Sequence, residues 1–195
     1  MKKRFIGYLL ILGLLLAGVV SFHRDRPAKS LLPHLPAPIA REKALVTPAG
    51  QGQESLIVAE LCDKLNVNNN FMFWAEPTDL AGFNSLILVL GFSKQGLFSM
   101  HRDAEEEISR VKLLTEAAKQ KKLPIVLIHL GGTDRRGGQN DKAATAIANN
   151  LDYIIVTESG EKDGFFRELA AKNDVPITIV HDVPNIKVPL NSVYR

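Results

Sequence analysis

Residues 85–90 read Ser-Leu-Ile-Leu-Val-Leu, an apolar run that ends at Gly91. Because consecutive side chains of a strand point to opposite faces, a strand of this composition has to be buried on both faces. Residues 124–129, which read Pro-Ile-Val-Leu-Ile-His, show the same pattern. Helices on both sides of a parallel sheet provide such burial, so the two runs predict an α/β fold.

The rest of the chain alternates between short apolar runs and longer amphipathic segments. The clearest helix spans residues 103–122, where Asp103 and Glu106 have capping-box spacing. We expect further strands at residues 44–47, 71–74, 153–156 and 177–180, further helices at 54–65, 141–149 and 164–172, and a terminal segment at 185–195 that packs on the sheet. The sequence therefore predicts a three-layer, open, mostly parallel sheet of the flavodoxin or Rossmann-like type.

The apolar residues of the helix predicted at 54–65 indicate which of its faces is buried. Leu56, Ala59 and Leu61 are expected to face the core. The single cysteine, Cys62, lies in the same apolar stretch, so no internal disulfide can form. Core packing is its expected role, because no basic residue flanks it to activate a thiolate.

The first 43 residues predict export and a spacer. Lys2, Lys3 and Arg4 precede the uncharged apolar residues 5–20, which is typical of a signal peptide or an uncleaved membrane anchor within residues 1–22. Residues 23–43 contain four prolines and predict an extended tether. The α/β domain is then expected to comprise residues 44–195 and to lie outside the cytoplasm, either secreted or anchored to the membrane.

The composition excludes several classes of protein. Of the 195 residues, 46% are hydrophobic and 23% are charged, which is typical of a globular domain and not of a disordered chain. The formal charge of +3 comes from the first 43 residues, because residues 44–195 hold 16 basic and 19 acidic side chains. Nucleic-acid binding is not expected of a mildly acidic domain.

Four glycine-rich polar loops follow predicted strands and indicate where a site would lie. Their residues are 49–53, 91–96, 131–138 and 159–164. In open parallel sheets, ligands bind at the carboxyl ends of the strands, near the point where the strand order reverses. We therefore expect the four loops to converge on one site at one edge of the sheet.

These loops and strands resemble an exported bacterial family, domain of unknown function 6305. The likeness is carried by residues 47–51, 86–91, 128–132 with 135–137, and 159–160 with 162–166. The resemblance implies an α/β fold and export, and it implies no activity. Gly52 stands where that family more often has serine.

The loop after the first strand contains Gly50-x-Gly52-x-x-Ser55, followed by Glu76 beyond the next strand. This arrangement partly matches a dinucleotide-binding fingerprint, but its third glycine is missing. No cofactor is predicted for that reason. The exposed amides of Gly50 and Gln51 at a helix start would still suit a carboxylate or phosphate.

Arg135 and Arg136 lie between two pairs of glycines, where guanidinium groups can reach a planar anion. Together with Lys94 and Lys162 they would make this edge locally basic on an acidic domain. The alternative is a solvated loop in which Asp134 and Glu161 are the partners of the arginines. Asp163 is expected to cap the helix that begins near Gly164.

Other side chains in these loops bear on catalysis. His129, beside Gly131 and Gly132, is either a base, a metal ligand or a packed residue bonded to backbone, and packing is favoured. Ser93 and Ser159 lie near glycines but outside any G-x-S-x-G motif, so donor or capping roles are favoured for them. No spacing of histidines and cysteines indicates a metal site.

Three functions remain open from the sequence. The leading hypothesis is a non-catalytic binding or sensory module for a small anionic ligand. The second is an extracytoplasmic hydrolase or transferase that uses Ser159, Ser93 or His129 with the arginines as anion stabilisers. The third is a structural partner of another exported protein. The sequence does not indicate an oligomeric state.

Overall fold

The computed structural model describes residues 34–195 and shows six parallel strands in one sheet. The strands are β1 (Ala44–Ala49), β2 (Asn69–Phe71), β3 (Ser85–Leu90), β4 (Ile125–His129), β5 (Tyr153–Thr157) and β6 (Ile177–Val180). Their order across the sheet is β2-β1-β3-β4-β5-β6. Strand order therefore reverses at the pair β1 and β3, which lie side by side in full register.

Helices cover both faces of the sheet, so the predicted three-layer α/β fold is confirmed. They are α1 (Glu54–Lys64), α2 (Lys94–Ser99), α3 (Ala104–Gln120), α4 (Gly138–Ile147), α5 (Phe165–Asn173) and α6 (Lys187–Ser192). Leu88 packs in one core with residues of α3, α4 and α5. Its neighbour Val89 packs in the other core, with residues of α1 and α6. The apolar residues of β3 thus pack into both hydrophobic cores, one on each face of the sheet.

The start of α3 has the predicted capping box. The backbone N–H of Glu106 donates to Oδ1 of Asp103 at 2.8 Å, and the N–H of Asp103 donates to Oε2 of Glu106 at 3.0 Å. Two amides that lack partners within the helix are satisfied in this way.

Three local predictions were wrong or incomplete. Strand β2 ends at Phe71 and does not include residues 72–74, because an edge strand paired only with β1 leaves the chain free to turn away. Leu56 is 44% exposed, since the buried stripe of α1 runs through Val58, Ala59 and Cys62. The short helix α2 was expected to be loop, and Ser93 starts it by accepting the N–H of Gly96.

The burial of Cys62 confirms its role in the core. The thiol is fully buried, and that burial raises its pKa to about 12. A thiol held in the protonated form is a poor nucleophile. The terminal segment packs on the sheet as predicted, through the buried Leu190 and Val193.

Part of the segment predicted as a tether packs on the domain. Leu35 and Ala40 are buried, and the backbone amides of Ile39 and Ala40 donate to the carbonyl of Val193 at 3.1 and 3.0 Å. The folded unit therefore begins before residue 44. The predicted signal or anchor, residues 1–22, and the first part of the tether lie outside the described residues. Within residues 34–195 no helix has the length and apolar character needed to cross a membrane.

Candidate functional site

A cavity of about 860 Å³ opens at the point where strand order reverses. Its walls come from the loop after β1, the start of α1, the segment after β2, the loop after β3 with α2, and the loop after β4. Its lining includes Gln51, Glu54, Phe73, Ser93, Met100 and Arg135. A cavity of this size at this position is where α/β sheets hold their ligands.

The floor of the cavity forms because two loops approach each other at backbone distance. Gly50 has a φ of 115°, and a Cβ there would lie 2.7 Å from the carbonyl oxygen of Gly91. A Cβ on Gly96 would lie 2.5 Å from the carbonyl oxygen of Gln51. Contacts this short admit only glycine. The glycines of residues 49–53 and 91–96 therefore let two of the four predicted loops meet. Residues 159–164, the fourth of these loops, do not line the cavity.

Arg135 forms part of the cavity wall together with Glu54. Nη2 of Arg135 donates to Oε1 of Glu54 at 2.6 Å, which joins the loop after β4 to the start of α1. This is the one hydrogen bond described for the Arg135 guanidinium, and its buried Nε has no partner in the described structure. The Arg135 side chain is 35% exposed and that of Glu54 is 19% exposed. The buried Nε lies out of reach of a ligand, whereas Nη1 takes part in no described hydrogen bond and remains the candidate donor to a ligand in the cavity.

Arg136 is fully engaged by the protein. Its Nε and Nη2 donate to the carboxylate of Asp141, and its Nη1 and Nη2 donate to the carboxylate of Asp163. Nη1 also donates to the carbonyl of Gly160 at 2.6 Å, and the guanidinium stacks 4.4 Å from the ring centroid of Phe165. All five N–H groups have partners, so an anion could reach this side chain only by displacing one of them.

His129 is packed and hydrogen-bonded to backbone. The side chain is fully buried, and Nδ1 lies 3.0 Å from the carbonyl oxygen of Leu90. The ring lies against Gly131 and Gly160, because a Cβ on either residue would approach it within 3.0 Å. Desolvation lowers the pKa of the imidazole, although the bond to Leu90 opposes that change. Nε2 has no partner within the described structure.

The remaining predicted site residues lie in two places. Ser93 lines the cavity, whereas the hydroxyl of Ser159 lies 3.2 Å from that of Thr157, whose Oγ1 donates to Gly131. Gly132 lies close to Ser159, outside the cavity lining. Lys94 and Lys162 are exposed and do not line the cavity. The structure thus brings Gln51, Ser93 and Arg135 together and leaves the others beside or outside the cavity.

The cap of α5 differs from the prediction. Oε2 of Glu161 accepts the N–H of Phe166 at 2.9 Å, and its Oε1 accepts the N–H of Arg167 at 3.0 Å. Asp163 makes only a 3.4 Å contact with the N–H of Phe165, because its carboxylate is held by Arg136. The buried Glu161 is therefore the principal capping carboxylate.

The sequence profile of the family described as domain of unknown function (DUF6305) matches residues 41–194. The chain belongs to the DUF6305 family. Among solved structures, a mutant of the esterase AlinE4 matches with 13% identity and a TM-score of 0.29, over 71% of this chain and 75% of that chain. No curated protein matches the chain.

The DUF6305 domain contains a buried ion pair that sequence reasoning missed. Glu107 and Arg110 of α3 lie beneath the cavity floor, and Arg110 donates to Glu107 through Nε and Nη2, both at 2.8 Å. Oε1 of Glu107 accepts the backbone N–H of Gly50 at 2.7 Å, and Nη2 of Arg110 donates to the carbonyl of Pro48. Their i,i+3 spacing among the apolar Ile108 and Val111 was the available signal, because it places both charges on the buried face.

The side chain of Gln51 joins this ion pair to the cavity wall. Its Nε2 donates to Oε1 of Glu107 at 3.2 Å and to the carbonyl of Phe73 at 3.0 Å. Gln51 is therefore a structural part of the floor in the DUF6305 domain, and both hydrogens of its side-chain NH2 group are engaged.

The catalytic alternative has no assembled centre in the part of the DUF6305 domain that is described. No hydrogen bond described for residues 34–195 joins a serine hydroxyl to a histidine or a carboxylate. Over the same residues, no group of three or more His, Cys, Asp or Glu side chains could hold a metal ion. The hydrolase or transferase hypothesis stays a prediction without a geometric argument in its favour.

Proposed function

We propose that this domain is a binding module that holds a small ligand with a carboxylate or phosphate group in the cavity between β1 and β3. Arg135 is the anion contact. The proposal rests on a difference between two adjacent arginines. Every N–H group of Arg136 has a partner in the protein, whereas Arg135 lines the cavity and makes one described hydrogen bond through its guanidinium.

Other groups in the wall suit a bound ligand. Ser93 places a hydroxyl at the cavity, and Gln53 and Gln95 place amides there. Phe73 and Met100 provide apolar surface in the same cavity. A mostly apolar concave site with a few polar groups is the usual composition of a small-molecule site.

The test is calorimetric titration of the full chain with inorganic phosphate and with hexanoate. A ligand that binds only the folded state also raises the melting temperature. Arg135→Ala should weaken binding roughly ten- to a hundredfold, and Arg135→Lys should restore part of the loss, because lysine keeps the charge but not the planar fork. Arg167→Ala is the matched control, because it also removes an arginine, and Arg167 is a half-exposed residue of α5 that does not line the cavity. Equal affinities in Arg135→Ala and Arg167→Ala would refute the anion site.

We also propose that the domain acts outside the cytoplasm. The support is the basic and apolar pattern of residues 1–22, which lie outside the described structure. An alkaline phosphatase fused after residue 195 should be active in a bacterial host, because that enzyme matures only after export. Deletion of residues 1–22 should abolish the activity, and an active fusion after that deletion would contradict the proposal.

A further inference from the structure

We propose that the ligand is a zwitterion, namely a free α-amino acid with an apolar side chain. Its carboxylate meets Arg135, its ammonium meets Glu54, and its side chain lies on Phe73 and Met100. This inference rests on the proposed function and narrows it to one chemical class of ligand.

The first argument is the charge of the cavity. Glu54 and Arg135 are the charged side chains in its lining, and they lie 2.6 Å apart. A ligand with only a negative group would meet repulsion from Glu54 as it approached Arg135. A ligand with only a positive group would meet repulsion from Arg135. A ligand that carries both charges is attracted by both side chains.

The second argument is that each member of the pair has a polar atom that takes part in no described hydrogen bond. The described hydrogen bond uses Oε1 of Glu54 and Nη2 of Arg135. No described hydrogen bond uses Oε2 of Glu54 or Nη1 of Arg135. Oε2 packs against Gly52 and Gly91, and the Glu54 side chain keeps 19% of its surface exposed. A ligand ammonium would reach the carboxylate through that exposed part, so binding does not need to break the existing ion pair.

The third argument is the spacing of the two charges. In an α-amino acid, the ammonium and the carboxylate are attached to the same carbon, so they reach neighbouring partners. The adjacent Glu54 and Arg135 match that spacing. In a longer peptide, the two terminal charges are separated by the chain and do not fit one contiguous pair.

The fourth argument is the apolar wall. Phe73 is 54% exposed although it is a large apolar side chain, and it lines the cavity. Its ring is held edge-on by Phe71, with the ring centroids 4.6 Å apart. Burial of this surface by a ligand side chain favours binding in proportion to the apolar area covered. Amino acids with long apolar side chains should therefore bind best.

Four probes, titrated into the full chain by calorimetry, separate these contributions. L-norleucine carries both charges and a butyl group, hexanoate lacks the ammonium, pentylamine lacks the carboxylate, and glycine lacks the side chain. We expect L-norleucine to bind at least tenfold more tightly than each of the other three. If L-norleucine does not bind, or binds no better than hexanoate, the inference is wrong.

Glu54→Gln tests the ammonium contact, with Glu60→Gln as the matched control. Glu60 is on the same helix and is an exposed partner of Lys64, so its change removes the same charge away from the cavity. Glu54→Gln should weaken L-norleucine about tenfold and leave hexanoate unchanged or bound more tightly. If both ligands lose equal affinity, Glu54 makes no specific contact with an ammonium and the inference is overturned.

The result also separates this inference from the proposed function. Hexanoate that binds as tightly as L-norleucine and depends on Arg135 would support an anion site and refute the zwitterion. Indifference of every probe to Arg135→Ala would refute both.

Discussion

The carboxylate of Glu107 accepts the backbone N–H of Gly50, 57 positions earlier in the chain, at 2.7 Å. This bond anchors the loop after β1 to the buried face of α3. Glu107 is fully buried and Arg110 is 6% exposed, so neither charge has water as an alternative partner.

Loss of Glu107 should destabilise the domain strongly. Glu107→Ala leaves Arg110 buried without its counter-charge, and we expect the free energy of unfolding to fall by roughly 3–5 kcal/mol. Urea denaturation followed by circular dichroism measures this change. Glu105→Ala is the control, because Glu105 is 65% exposed in its pair with Lys142 and should cost about 0–1 kcal/mol. Equal losses in the two variants would contradict a structural role for the buried pair.

Arg136 should contribute to stability and not to ligand affinity. Arg136→Lys loses the fork that bridges Asp141 and Asp163, and we expect about 2 kcal/mol of destabilisation. The affinity of the folded variant for L-norleucine, measured by calorimetry, should equal that of the unchanged protein. An affinity loss comparable to that of Arg135→Ala would show that Arg136 also contacts the ligand.

Because His129 is buried, the free energy of unfolding of the domain should fall as the pH is lowered. Burial lowers the pKa of His129 in the folded state, so between that value and about 6.5 the unfolded chain binds a proton that the folded chain does not. The free energy of unfolding should therefore decrease as the pH falls from 7.5 to 5, with this residue contributing at most about 1.4 kcal/mol per pH unit.

Urea titrations of the unchanged protein and of His129→Asn across that pH range check the prediction. The amide of Asn can replace the donor of His129 toward the carbonyl of Leu90 but cannot titrate. His34, His101 and His181 are present in both proteins, so the difference between the two curves isolates His129. Parallel curves would show that the pKa of His129 is the same in the folded and unfolded states, which would contradict the prediction.

The segment before residue 44 should stabilise the domain. A fragment of residues 34–195 buries Leu35 and Ala40, and Glu42 in it accepts from Nη2 of Arg195 at 2.7 Å. A fragment of residues 44–195 should still unfold cooperatively but should lose about 2–4 kcal/mol, because those apolar contacts are gone. Chemical denaturation of both fragments measures the difference. Coincident unfolding midpoints would place residues 34–43 outside the folded unit.

Strands and the clearest helix could be predicted because their signals are local. Residues 85–90 are apolar on both faces wherever they lie, and the capping box of Asp103 and Glu106 is complete within four positions. The edge of the sheet at which the loops meet followed from the parallel order of the strands.

The division of roles between Arg135 and Arg136 could not be predicted, because one decisive partner of each arginine lies far away in sequence. Glu54 precedes Arg135 by 81 positions, and Asp163 follows Arg136 by 27. Two neighbouring arginines with the same local sequence therefore diverge only after the loops have packed. Phe73 is a comparable case, since its place in the cavity wall depends on where strand β2 ends.

The anchoring of Gly50 by Glu107 implies that the floor and the wall of the cavity differ in how readily they open. The amide of Gly50 bonds to a buried carboxylate of α3, so it should exchange with solvent only when the whole domain opens. The Glu54 and Arg135 side chains are partly exposed and join the start of α1 to the loop after β4, so their contact can open through local fluctuation. The floor of the cavity would then keep its shape while the wall adjusts, so the proposed ligands would enter without partial unfolding of the core.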